Sequence, residues 1–112
     1  MENWNGYRGE LMSTLGQMGQ ISPELLSAHD KLASAKPKEP QLDAKTRELI
    51  ALAVAVTTRC DGCIAFHTDA ARKAGASKEE MVEALGVAVA LNAGAALVYS
   101  ARAFDAFTRD AG

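Results

Sequence analysis

Leu49-Ile50-Ala51-Leu52-Ala53-Val54-Ala55-Val56-Thr57-Thr58-Arg59-Cys60-Asp61-Gly62-Cys63-Ile64-Ala65-Phe66-His67 is the stretch on which the fold turns. From Leu49 to Val56 every residue is apolar. A helix through this run has no wet face over two turns, so it is expected to be enclosed on all sides. Asp43, just upstream, is placed to cap it. Thr57-Thr58-Arg59 interrupts the run. A further helix is then expected from near Asp61, carrying His67, Ala70 and Ala71 to a terminator at Gly75.

Upstream of this pair, Lys36-Pro37-Lys38-Glu39-Pro40 reads as a linker. Before it, Trp4, Tyr7, Leu11, Leu15 and Met18 recur at three- and four-residue steps, the stripe of a first helix ending near Gly19. Ser22-Pro23-Glu24 supplies an N-cap, a first-turn proline and a first-turn acid for a second helix to about Ala35. Downstream, Ser77-Lys78-Glu79-Glu80 fits a capping box. The helix it opens runs to about Leu91, where Asn92 marks either a kink or the cap of a sixth helix ending near Phe107. No run alternates with period two for long enough to make a strand, and no solenoid-length repeat is present. The expectation is an all-α, single-domain helical bundle of about six helices. Its N-terminal helices span 3–35, its linker 36–41 and its motif-bearing core 42–108.

Composition agrees with that class. The chain has 112 residues, of which 48% are apolar but only 5% aromatic, so Ala, Val, Leu and Ile must build the core and closely packed helices are favoured. Twelve basic and fourteen acidic side chains leave a formal charge of -2, with no Lys/Arg cluster to neutralise several phosphates; no nucleic-acid partner is expected. The N-terminus offers no basic segment followed by an apolar run, and a cytoplasmic location is the expectation.

The most membrane-like stretch, Ala84 to Val98, is shorter than a span and interrupted by Gly86, Asn92 and Gly94; it reads as a buried helix, and no membrane partner is expected. Gly86, Ala90 and Gly94 form a small-residue face that suits close approach of another helix, within the subunit or between subunits. Helices with so little polar surface are hard to enclose in a chain of this length, so a homo-oligomer is expected.

Both cysteines fall within Cys60-Asp61-Gly62-Cys63, too short a loop for a disulfide to remove much chain entropy. A chemical use is the better reading. At a helix start, free backbone N–H groups and the helix dipole stabilise an anion, and the thiolate is the reactive form of cysteine. His67 follows Cys63 by one helical turn and shares its face, within range of proton transfer. Glu48 stands directly before the apolar run, in line with Ala51, Leu52 and Ala55. If the two central helices pack antiparallel, Glu48 approaches His67 directly or through water, and the pair can relay a proton.

Each of these residues also has a plainer reading. A buried cysteine alone is more often packing than catalysis, a helix histidine is more often satisfied than catalytic, and a first-turn acid is more often solvated. Cys60, Cys63, His67 and Glu48 also have the donor types of a tetrahedral zinc site, although one C-x-x-C pair without a second is weak support. His29 has no such companions and is expected at the surface.

Glu48 followed by Cys60-x-x-Cys63 and x-x-x-His67, with the Arg47-Glu48-Leu49-Ile50 and Ala74-Gly75-Ala76-Ser77-Lys78-Glu79-Glu80 segments, resembles the AhpD-like (alkylhydroperoxidase D-like) branch of the carboxymuconolactone decarboxylase superfamily. The likeness runs from about Gln41 to Phe107. It implies an all-helical subunit assembling into trimers or hexamers, with peroxidase or disulfide-reductase activity. Such redox chemistry requires no bound organic cofactor, and no metal is expected. By the resemblance, Cys63 attacks a hydroperoxide or disulfide substrate, Cys60 resolves, and Glu48 and His67 relay the proton. The reductant is an external dithiol of lipoyl or thioredoxin-like type. Some members of that branch carry histidine directly before the second cysteine, where this chain has Gly62, which implies a leaner relay and a weaker or differently aimed peroxidase activity. The decarboxylase branch is not expected to depend on such a cysteine pair.

Overall fold

The computed structural model describes residues 1–109; residues 110–112, part of the single-domain reading, lie outside the described residues. Five helices follow one another: α1 (Trp4–Ile21), α2 (Pro23–Ser34), α3 (Ala44–Thr58), α4 (Asp61–Lys73) and α5 (Lys78–Arg109), with no strand among the described residues.

The helix ends are set by local chemistry. The Ser22 hydroxyl accepts from Leu25 N–H ahead of Pro23, and the Asp43 carboxylate accepts from Thr46 N–H at 2.8 Å. Ser77 and Glu80 close a reciprocal capping box, with Glu80 N–H donating to the Ser77 hydroxyl at 3.0 Å and Ser77 N–H donating to the Glu80 carboxylate at 2.9 Å. Gly75, at φ 89°, ends α4: its N–H donates to the Arg72 carbonyl, and that of Ala76 reaches back to Ala71. Asn3, which the spacing did not single out, caps α1 by accepting from Gly6 N–H.

Cross-helix pairs give the topology. Glu48 meets His67, so α3 and α4 form an antiparallel hairpin. Lys45 pairs with Glu80 and Thr57 with Asn92; both separations equal 35, so α5 runs parallel to α3 at constant register. α1 packs on α4, and α2 packs on α1. The buried core is Leu52 and Ala55 of α3, Ala65 and Ala71 of α4, and Ala88 of α5. Four alanines among five positions let the helix backbones approach closely.

Three expectations change. The helix count comes to five, because α5 continues through Gly86, Asn92 and Gly94: the Asn92 amide donates to its own Ala88 carbonyl at 2.7 Å and to Thr57 at 3.0 Å, so it neither caps nor breaks the helix. α3 is not enclosed on all sides, since Ile50 and Val54 are about half exposed. The Ala84–Val98 stretch is not buried within the chain. Val87, Val89, Leu91, Leu97 and Val98 are all exposed, as are Tyr99, Phe104 and Phe107 beyond it. The reason is the register: α3 stops at Thr58, opposite residue 93 of α5, and α5 runs on to Arg109 with no helix beside it among the described residues. That free arm is roughly 25 Å long at 1.5 Å per residue. α5 as a whole has the length and apolar composition of a membrane-crossing helix.

The shape follows. The radius of gyration is 18.7 Å, where a compact chain of this length has about 13 Å. The accessible surface is 8884 Å², against about 5,900 Å² for a compact monomer of 11.8 kDa.

Candidate active site

The α3–α4 turn is where the local sequence builds the site. Arg59 takes the left-handed conformation, φ 55° and ψ 50°, and ends α3, while Cys60 N–H returns to the Ala55 carbonyl at 3.0 Å. The chain then reverses in two residues, and Cys60 becomes the N-cap of α4. A β/extended backbone at Cys60 turns its sulfur back over the helix start, where it accepts from Cys63 N–H at 3.1 Å. The expected helix start near Asp61 is therefore met, and the sulfur itself does the capping that serine or aspartate usually does. Cys60 and Cys63 are joined as a disulfide, with Cα atoms 5.2 Å apart.

Glu48 and His67 meet across the hairpin, Glu48 Oε2 lying 2.6 Å from His67 Nδ1. Glu48 is about three-quarters buried, and His67 is more open, at 41% exposed. An ionised carboxylate only accepts, so Nδ1–H donates to Glu48 and Nε2 is left to take or give a proton. Glu48 thus fixes both tautomer and ring orientation. On α4, His67 lies one turn beyond Cys63, a spacing that puts the two Cβ atoms about 5–6 Å apart. The structure thus brings Glu48 to His67 and Cys60 to Cys63, on adjoining turns of one hairpin. His29 is exposed, and no group of three His, Cys, Asp or Glu side chains able to hold a metal comes together among the described residues.

Two neighbours were not visible in the spacing. Arg8 of α1 donates through Nε and Nη2 to the Ala65 carbonyl, at 3.0 and 2.8 Å, and through Nη1 to Asn5. Gly62, between the cysteines, lies under Leu11 of α1; a Cβ at that position would stand 2.7 Å from Leu11 Cδ2. The space that a side chain at 62 would take is filled from α1. Only the apolar stripe of α1 hinted at this, and it does not say which helix the stripe meets.

Salt links brace the surroundings. Lys45 holds Glu80 at 2.9 Å, which keeps the Glu80 carboxyl below its ordinary range and raises the Lys45 ammonium. Lys73 beside Asp69 lowers the latter's carboxyl, as the Thr46 hydrogen bonds lower that of Asp43.

Fold and site together define a class: an all-helical chain whose central hairpin carries a C-x-x-C disulfide at a helix start and a carboxylate–imidazole pair one turn on. Comparison with known proteins gives that class its family. Residues 23–106 match the Carboxymuconolactone decarboxylase family, and this chain belongs to it. An uncharacterized protein of Haemophilus influenzae is 49% identical over 95% of this chain and 94% of its own length. The "Uncharacterized protein 4 in cox locus" of Paracoccus denitrificans is 35% identical over 81% of this chain and 82% of its own. The crystal structure of a carboxymuconolactone decarboxylase family protein from Legionella pneumophila, in apo form, superposes with a TM-score of 0.75 at 37% identity, covering 100% of both chains. The AhpD-like resemblance is consistent with this family. Its members are enzymes, decarboxylases or peroxidases, and the Cys60–Cys63 pair is compatible with the redox kind.

Proposed function

We propose that this protein is a thiol-dependent peroxidase or disulfide oxidoreductase whose catalytic residues are Cys63, Cys60, His67 and Glu48. The observation that carries the reading is the 2.6 Å contact between Glu48 and His67, one helical turn from a cysteine pair that the structure joins as a disulfide. A proton-handling pair beside a two-electron couple is the equipment that hydroperoxide reduction needs.

In this reading His67 takes the Cys63 proton, and the thiolate attacks the terminal oxygen of the hydroperoxide. The O–O bond breaks, Cys63 becomes a sulfenic acid, and His67 returns the proton to the departing alkoxide. The Cys60 thiol then attacks the sulfenic sulfur, forming the S–S bond and releasing water. An external dithiol, lipoyl-type or thioredoxin-like, restores two electrons and two protons by thiol–disulfide exchange. The chemistry calls for no bound cofactor or metal.

The working form is a cytoplasmic homo-oligomer, a trimer or hexamer, in which a second copy covers α5. Support comes from the roughly 3,000 Å² by which the chain's surface exceeds that of a compact monomer, against about 800 Å² per partner in a standard interface. The small-residue face of α5 points the same way: a Cβ at Gly86 or Gly94 would meet nothing in the chain within 4 Å.

The test is to add cumene hydroperoxide to the reduced protein and count free thiols. Loss of both thiols, abolished in Cys63→Ser, is expected. Retention of both, or activity that survives loss of both cysteines, overturns the reading, the latter in favour of decarboxylase-type chemistry.

A further inference from the structure

Two contacts seat α1 on the turn that holds the disulfide. Leu11 lies against Gly62, and Arg8, three residues earlier, donates twice to Ala65, three residues later. The pairings run in opposite directions, so α1 lies antiparallel across the first two turns of α4. Residues three apart on a helix share a face, so one face of α1 meets one face of α4. Cys63 and His67 lie on the far side of α4 from that contact, so α1 meets the turn without covering them. Gly62 is the only residue type that lets Leu11 come so close, because any side chain there would have to displace it.

We propose that Leu11 is a positioning residue for the Cys60–Cys63 couple. Seated in the space left by Gly62, it holds the turn in the conformation in which Cys63 N–H meets the Cys60 sulfur, and so sets the couple's reduction potential. The direction follows from a cycle. In the disulfide form the S–S bond already holds the turn, so Leu11 makes its full contact. In the dithiol form nothing covalent holds it, and the turn samples conformations in which the contact is lost. The contact therefore stabilises the disulfide more than the dithiol, and removing it makes the pair easier to reduce.

This rests on the cysteines cycling between the two forms. Reduction by a dithiol breaks the Cys60–Cys63 bond, passes two electrons and two protons to the sulfurs, and leaves the reductant as its own disulfide. The measurement is the equilibrium of the intact protein with reduced and oxidised dithiothreitol. Leu11→Ala is expected to shift it towards the dithiol by about tenfold, about 30 mV for this two-electron couple. Leu11→Met, which keeps volume and apolar character, is expected to stay within about twofold of wild type.

Gly62→Ala should shift the equilibrium in the same direction as Leu11→Ala and add nothing to it in the Leu11→Ala background. Leu26→Ala, which loosens α1 against α2 at Gly19 and leaves Leu11 and Gly62 in place, controls for stability: it should lower Tm and leave the equilibrium unchanged. A wild-type equilibrium in Leu11→Ala, or an equal effect of Gly62→Ala in both backgrounds, overturns the proposal. If Leu11→Ala does not fold, Leu11→Val serves, with a smaller shift of the same sign expected and a wild-type value overturning the proposal. No peroxide enters the experiment, so a shifted couple in a protein that consumes none would sink the proposed function alone.

Discussion

The α3–α4 hairpin and the second half of α5 are neighbours in the chain and opposites in physics. In the hairpin every end is closed from within: Asp43 caps α3, the Cys60 sulfur caps α4, the Gly75 turn satisfies the last carbonyls, and Glu48 and His67 meet across it. Beyond Asn92, α5 is a regular helix with exposed Leu97, Val98, Tyr99, Phe104 and Phe107 and nothing among the described residues to cover them. The disulfide and the carboxylate–imidazole pair are assembled within one hairpin, while the apolar surface of the arm stays open among the described residues.

The largest effect is expected from charging the arm. Leu97→Glu with Phe104→Glu is expected to convert the proposed oligomer to monomers by sedimentation velocity, because an unpaired charge in an apolar interface costs several kcal/mol. The reduced monomers should still close the Cys60–Cys63 disulfide, although more slowly if they fold less firmly. An unchanged oligomer would show that α5 is covered in another way.

Within the hairpin, removing the proton relay comes next in size. His67→Gln is expected to lower the rate of peroxide-dependent thiol loss by about 10²–10⁴-fold, the usual contribution of a positioned acid–base group. Glu48→Gln should cost less, since it leaves the imidazole in place without its carboxylate. Stopped-flow measurement of thiol disappearance ranks the three proteins, and equal rates would separate the relay from the chemistry.

Smaller again is the hairpin's own closure. Gly75 sits at φ 89° with open space around its missing Cβ, so Gly75→Ala carries a purely backbone penalty, about 1 kcal/mol. Denaturant unfolding should show a shifted midpoint with unchanged slope. The smallest effect is electrostatic. Asp43, Asp69 and Glu80 are held below their ordinary carboxyl range in the folded state, so their contribution is present above that range and fades as pH falls through the lowered values. Thermal melts from neutral to acid pH should show a falling Tm, and Lys45→Met should flatten part of the slope.

Much of the hairpin was legible in the sequence because its determinants are local. Asp43, Ser22-Pro23, the Ser77–Glu80 box and Gly75 act within four residues of themselves, and the register that brings Glu48 to His67 follows from a short turn between two helices. What escaped was nonlocal. That Arg8 and Leu11 land on Ala65 and Gly62 depends on where α1 docks, which its stripe of apolar residues does not specify. Arg59 gives no glycine signal for its left-handed backbone. The spacing leaves open whether Asn92 kinks α5 or caps a sixth helix, because its amide's bond to Thr57 of α3 cannot be seen in one dimension. The enclosure expected of α3 and α5 failed within one chain for the same reason: periodicity shows that a face is apolar, not which molecule covers it.

A proton passing between sulfur and imidazole is central to the proposed chemistry, and the pH dependence of Cys63 alkylation in the reduced, intact protein tests this most directly. A midpoint near neutrality, moved upward in His67→Gln, is expected. A midpoint at about 8.5, the value of an ordinary thiol, and unaffected by His67→Gln would contradict it.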